Sequence, residues 1–161
     1  MNRGLERINY INLDLTNYGI FKPLDKKGNK IFIYNGYNKG QEEKYGKQIY
    51  EQVMNRLPEY EYILSNQLGG ISNERMFDVY KQCFIGLRLT SFDGNANMVG
   101  ELKAMDIPVI HNISDYGLKW STVEDVIKII KSYKKKGTNI DMYNSELDNS
   151  NLETIKENIE N

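Results

Sequence analysis

Apolar positions along the chain recur with two periods, and the places where the period changes divide it into elements. Ile31 to Tyr34 (IFIY) is a short β-branched and aromatic run closed by Asn35 and Gly36, which predicts a strand ending there. From Gln41 to Leu57 the period lengthens. Tyr45, Ile49, Val53 and Leu57 recur every fourth residue with charges between them, predicting an amphipathic helix that Pro58 ends. Tyr60 to Leu64 alternates like a second strand, and SNQLGG (65–70) reads as loop. Ser72 or Asn73 is placed to cap a helix with Met76, Phe77 and Tyr80 on one face. A buried strand is expected over Phe84 to Leu89, followed by a polar turn (Thr90 to Asn95), a helix carrying Glu101, and a strand at Val109 and Ile110. After a loop to Lys119, Thr122 caps a last helix through Val123, Val126, Ile127 and Ile130. Glu124 and Asp125 lie in its first turn and lysines toward its end, as the helix dipole favours.

The ends are less patterned. Ile8, Tyr10, Ile11, Leu13 and Leu15 alternate in part and suggest a short N-terminal strand, and YGIFKPLDKKGNK (18–30) reads as a surface connection. Residues 139–161 form a polar tail, with a short helix expected over Leu152 to Ile159. The expected order is therefore β-β-α-β-α-β-α-β-α. Strands apolar on both faces and alternating with helices imply an α/β, Rossmann-like three-layer domain over 1–138 with a mostly parallel sheet.

Composition narrows the function classes. At 161 residues the chain is long enough for one core. A formal net charge of -1 gives no general attraction to nucleic acid or an anionic membrane, so no nucleic-acid partner is expected. Lys131 to Lys136 (KSYKKK) reads as a solvated helix end. The lone Cys83 sits beside Phe84 in an apolar setting and reads as a core residue; one cysteine supports neither a disulfide framework nor a cysteine-rich zinc site. No apolar run reaches membrane-spanning length and MNRGLERINY lacks a signal-peptide core, so a cytoplasmic protein without a membrane span is expected.

Candidate chemistry gathers at two turns. In a parallel sheet all strand carboxyl ends share one edge, so Asn35-Gly36 and Asp93-Gly94 could face one cleft. Gly94 followed by amides at a helix start suits a diphosphate, though Asn-Gly and Asp-Gly also occur in turns for geometric reasons alone. Asp93 and Glu101 add carboxylates to the turn and the helix. Glu101 lies among Met98, Leu102 and Met105, close to the apolar stripe, and a carboxylate there can accept both hydroxyls of a ribose. His111, the only histidine, reads as a satisfied strand-end residue, the tyrosines at 45, 60, 62 and 80 as core-edge packing, and Trp120 as packing under the last helix.

The string LTSFDGNANMVGELKAMDIPVIHN resembles the donor-nucleotide motif of the group 1 family of GT-B fold glycosyltransferases. In that family a strand is followed by Glu-Gly-Phe-Gly, a second Glu after seven intervening residues, Ala-Met, and Pro-Val-Ile. Asp93 takes the place of the first Glu, Gly94 matches, Glu101 falls at the family's interval, and Ala104-Met105 and Pro108-Val109-Ile110 follow. The resemblance covers most of 30–135, one half of a GT-B enzyme. It implies a domain binding a nucleoside-diphosphate sugar as donor substrate for hexosyl transfer, with no further cofactor and, lacking an Asp-x-Asp motif, no metal. Asp93 and Glu101 would be the catalytic carboxylates, Glu101 on the ribose and Asp93 on the donor sugar. Gly36, Lys39, Arg88, Gly94, Asn95, Ala96 and Asn97 would surround the sugar and diphosphate, and Gly70 and Ile71 the nucleobase. Tyr37 and Asn38 follow Gly36 where the family places Arg, and the acceptor-binding half has no counterpart, so a separate acceptor-binding domain or a homo-oligomer is the implied partner. The alternative is a non-catalytic Rossmann-like binding or interaction module. A flavodoxin-like or response-regulator-like domain fits less well, for want of an acidic cluster after the first core strand or a Ser/Thr-rich phosphate loop.

Overall fold

Strand and helix alternate along the chain. The computed structural model describes residues 19–91, 96–113 and 115–138. Among these, β1 (Lys30–Ile33), α1 (Lys47–Arg56), β2 (Tyr62–Leu64), α2 (Asn73–Tyr80), β3 (Cys83–Leu87), α3 (Asn97–Ala104), β4 (Val109–Ile110) and α4 (Val123–Thr138) follow in that order. The expected N-terminal strand and the helix over 152–159 lie outside the described residues.

All the strand pairs are parallel, in the order β2-β1-β3-β4. The chain steps one way from β1 to β2 and the other way from β2 through β3 to β4. Its direction thus reverses between β1 and β3. Because crossovers are right-handed, that reversal sends helices to opposite faces. Tyr50, Val53 and Leu57 at α1 pack with Val126, Ile127 and Ile130 of α4 over Ile31, Ile33, Ile85 and Leu87. Tyr80 of α2 and Met98, Val99 and Leu102 of α3 pack over Phe32, Cys83 and Val109 on the other face. The result is an α/β layered arrangement with a four-stranded parallel sheet, consistent with a Rossmann-like fold.

Local irregularities have sequence causes. Lys30 pairs with Cys83 but Ile31 with Ile85, so Phe84 is an extra residue on β3, and Phe84 and Ile85 join the same core cluster. Gly86 lets α3 approach closely: a methyl group there would come within 2.5 Å of Leu102 Cδ1. Leu118 bridges to Ile110 and donates its amide to Val109 O at 2.8 Å, covering part of the β4 edge.

Three expectations need correction. The helix expected over 41–57 is interrupted: a 3-10 turn (Glu42–Tyr45) meets α1 at Gly46, whose φ of 80° reverses the backbone hand. Tyr45 therefore turns to the α2–α3 face, and Tyr50 takes the inward position on α1. The segment read as a surface connection is anchored by Phe21, which is buried with its ring 5.7 Å from that of Tyr80. Tyr80 is a fully buried core residue, not a core-edge one. Ser72 caps α2 by accepting from Arg75 N at 3.3 Å, and Thr122 caps α4 by accepting from Asp125 N at 3.2 Å. Cys83 is buried, and burial pushes its thiol up to about 12, which makes it inert at neutral pH.

Candidate functional site

All but one of the buried polar side chains among the described residues lie at one edge of the sheet. The whole set is Asn35 after β1, Ser65 after β2, Arg88 and Thr90 after β3, His111 after β4, and Glu101 in α3. Five of them lie within three residues of a strand's carboxyl end. Among the described residues the exposed large apolar side chains, Tyr37, Ile113 and Tyr116, lie in the loops after β1 and β4 at the same edge. Burying polar groups and exposing rings are both unfavourable, so their coincidence at the β1/β3 reversal, where open α/β sheets bind ligands, marks the candidate site.

The turn after β1 is fixed from within. Asn35 N donates to Ser65 Oγ at 2.9 Å, and Ser65 Oγ donates to Gly36 O at 2.6 Å. The Asn35 side chain accepts from Asn66 N at 3.0 Å and donates to Tyr50 Oη at 3.2 Å. Gly36 sits at φ 105°, a conformation that favours glycine. The amides beyond it are used inside the turn: Tyr37 N donates to Gln41 Oε1 at 3.2 Å and Gly40 N to Glu42 Oε1 at 2.8 Å. Backbone amides, its own and that of Gly40, hold the Glu42 carboxyl below the usual range. Lys39 is exposed in the same turn.

The acidic element is on α3, the helix after β3. Glu101 is 9% exposed, and its Oε1 accepts from Tyr80 Oη at 2.8 Å. Burial raises the Glu101 carboxyl above the usual range, and the Tyr80 hydrogen bond opposes that rise. Burial, with the Glu101 charge beside it, drives the Tyr80 hydroxyl well above its ordinary value, so Tyr80 remains the proton donor. The Arg88 charge acts on the Tyr80 hydroxyl in the opposite, lowering direction.

Arg88, expected at the end of its strand, is buried there over the Tyr34 ring. His111 is buried with Nδ1 3.0 Å from Arg88 O, in keeping with the strand-end reading. Ala96 is the N-cap of α3 and Asn97 is exposed in its first turn. Gly70 is exposed and Ile71 half-buried in the loop after β2, on the far side of β1 from β3. Asp93, Gly94 and Asn95 lie outside the described residues. Sequence reasoning missed Ser65, which was read as loop, and the pairing of Tyr80 with Glu101. Ser65 carries a weak signal, since a hydroxyl directly after a strand is placed to hold a neighbouring turn. Tyr80 carries none, because its partner is on another element.

Among the described residues no helix is long and apolar enough to cross a membrane. The chain matches no known protein family, no curated protein and no solved structure.

Proposed function

We propose that this domain binds a nucleoside-diphosphate sugar at the carboxyl edge of its sheet, in the manner of the donor half of a GT-B glycosyltransferase. The observation that carries the reading is Glu101, a carboxylate buried on the helix that follows β3 and held by Tyr80. A buried carboxylate needs polar partners, and Tyr80 takes one of its roughly four acceptor positions, leaving others for ribose hydroxyls. Arg88 supplies positive charge at the end of β3. Asp93 and the amides of Gly94, Asn95, Ala96 and Asn97 approach the sugar and diphosphate, and Gly70 and Ile71 border the base. The transfer would move a hexose to an acceptor held by a separate domain or a second copy of the chain, in the cytoplasm. Calorimetric titration with UDP, GDP, ADP and their hexose conjugates tests this. Saturable binding that Glu101→Ala abolishes is the expected result, and absence of binding by every one of these ligands overturns it.

A second reading, a non-catalytic interaction module of the same fold, is favoured by the turn after β1. Its Tyr37 and Gly40 amides are already held by Gln41 and Glu42, and the Glu42 carboxylate repels a diphosphate placed there. Self-association of the chain without nucleotide binding would select this reading.

A further inference from the structure

We propose that Tyr80 is a positioning residue for Glu101: its hydroxyl orients the carboxylate so that the remaining acceptor positions meet the two hydroxyls of a ribose. The inference rests on the nucleotide-sugar reading and adds to it the group that sets ribose recognition.

The geometry is specific. Tyr80 is the last residue of α2 and Glu101 lies in the second turn of α3, so two helices on the same face of the sheet contribute one residue each. The Tyr80 ring cannot readily turn away. Phe32 stands edge-on to it at 5.2 Å and 89°, and Phe21 packs at 5.7 Å. The phenol is therefore a rigid lever whose hydroxyl ends 2.8 Å from Glu101 Oε1. A glutamate has three side-chain torsions, and a hydrogen bond to one oxygen removes most of that freedom before a ligand arrives. The hydrogen bond also favours the ionised carboxylate against the burial that disfavours it, and an ionised carboxylate is the stronger acceptor for a diol. Against the effect of burial, the positive charge of Arg88, after β3, lowers the Tyr80 hydroxyl slightly. His111 after β4 turns Nδ1 to the Arg88 carbonyl, and Lys103 on α3 itself sits over the Tyr116 ring.

A purely structural hydrogen bond and a positioning one differ in their dependence on pH. The full chain and its Tyr80→Phe variant are titrated with UDP and with 2′-deoxy-UDP from acid to neutral pH. The Glu101 carboxyl is followed in parallel by carbon NMR without ligand. Phenylalanine keeps the ring in its clamp, so the fold is retained, and Glu101→Gln serves as a second variant with no carboxyl to titrate. The expected result has three parts. Tyr80→Phe weakens UDP by roughly tenfold and reduces discrimination against the 2′-deoxy ligand. Both the affinity profile and the Glu101 carboxyl midpoint move to higher pH. In Glu101→Gln the part of the acid-side pH dependence that tracks the Glu101 carboxyl disappears, and only that of the terminal phosphate of UDP, at about pH 6, remains.

Unchanged affinity in Tyr80→Phe overturns the inference, as does a uniform loss with the pH midpoint in place. A carboxyl midpoint that moves while the affinity profile does not also overturns it, because Glu101 then does not grip the ligand. Those outcomes leave the nucleotide-sugar reading standing. Failure of the unmodified chain to bind any nucleotide removes that reading and this inference together.

Discussion

The guanidinium of Arg88 lies 4.0 Å from the centre of the Tyr34 ring and 5.2 Å from that of Tyr45. Tyr34 stands edge-on to Tyr45 at 4.8 Å and to Tyr37 at 5.7 Å, so one cation and three rings form a continuous cluster beside the crevice. Burial pushes the Tyr34 hydroxyl up to about 12, and the Arg88 charge opposes that rise. A planar, weakly hydrated guanidinium suits this stack where a compact ammonium does not.

Arg88→Lys is therefore expected to destabilise the domain by about 1–2 kcal/mol, although the charge is kept. Urea unfolding checks this, and an unchanged midpoint would show that the stack contributes nothing. On the nucleotide-sugar reading the same variant also weakens diphosphate binding, because a bidentate donor is lost.

Glu101→Gln separates stability from binding. The folded state raises the Glu101 carboxyl, so it favours the protonated form. The associated stability is fully present below the usual carboxylate range. It declines as pH rises from there to the raised folded value, and is level above it. Relative to the unmodified chain, Glu101→Gln should therefore gain stability across that window while losing nucleotide affinity. Chemical denaturation at a series of pH values gives the difference, and an opposite slope would refute the assignment.

Gly46→Ala should be among the most damaging single methyl additions in the chain. Gly46 joins the 3-10 turn to α1 at φ 80°, and a Cβ there would lie 2.5 Å from Leu89 O, a backbone atom that cannot swing aside. Left-handed strain and the displaced carbonyl together suggest a loss of about 2–4 kcal/mol. The shift in thermal midpoint measures it.

Asp106→Gly is expected to act in the opposite direction. Asp106 has φ 64° just past α3, with its amide donating to Lys103 O at 2.9 Å and Ile107 N closing the helix onto Leu102 O at 2.9 Å. Helix ends of this type favour glycine at the left-handed position. The substitution should stabilise by about 0.5–1 kcal/mol, read as a rise in thermal midpoint.

Asn35→Ala removes the hub of the turn after β1. Its side chain pairs with Asn66 N and Tyr50 Oη and lies 3.1 Å from Ser65 Oγ. With these groups buried or half-buried and unpaired, a loss of about 2–3 kcal/mol is expected in urea unfolding. Amide hydrogen exchange should show faster exchange at Asn66 with little change in α3, on the other face of the sheet.

The sequence by itself determined the alternation of strands and helices. Period and capping are local, so Ile31–Tyr34, Ser72 and Thr122 announce their roles from neighbouring residues alone. It also determined that Glu101 stands close to a buried face, because Met98, Leu102 and Met105 surround it on one helix. Only the tertiary structure decided the strand order β2-β1-β3-β4, the break at Gly46, the burial of Phe21, and the meeting of Tyr80 with Glu101. The physical reason is reach. Tyr80 and Glu101 are brought together by two helices packing on one sheet face, and Gly46 is required by the close approach of Leu89 O from just beyond β3. Such relations depend on long-range packing that no window of neighbouring residues encodes.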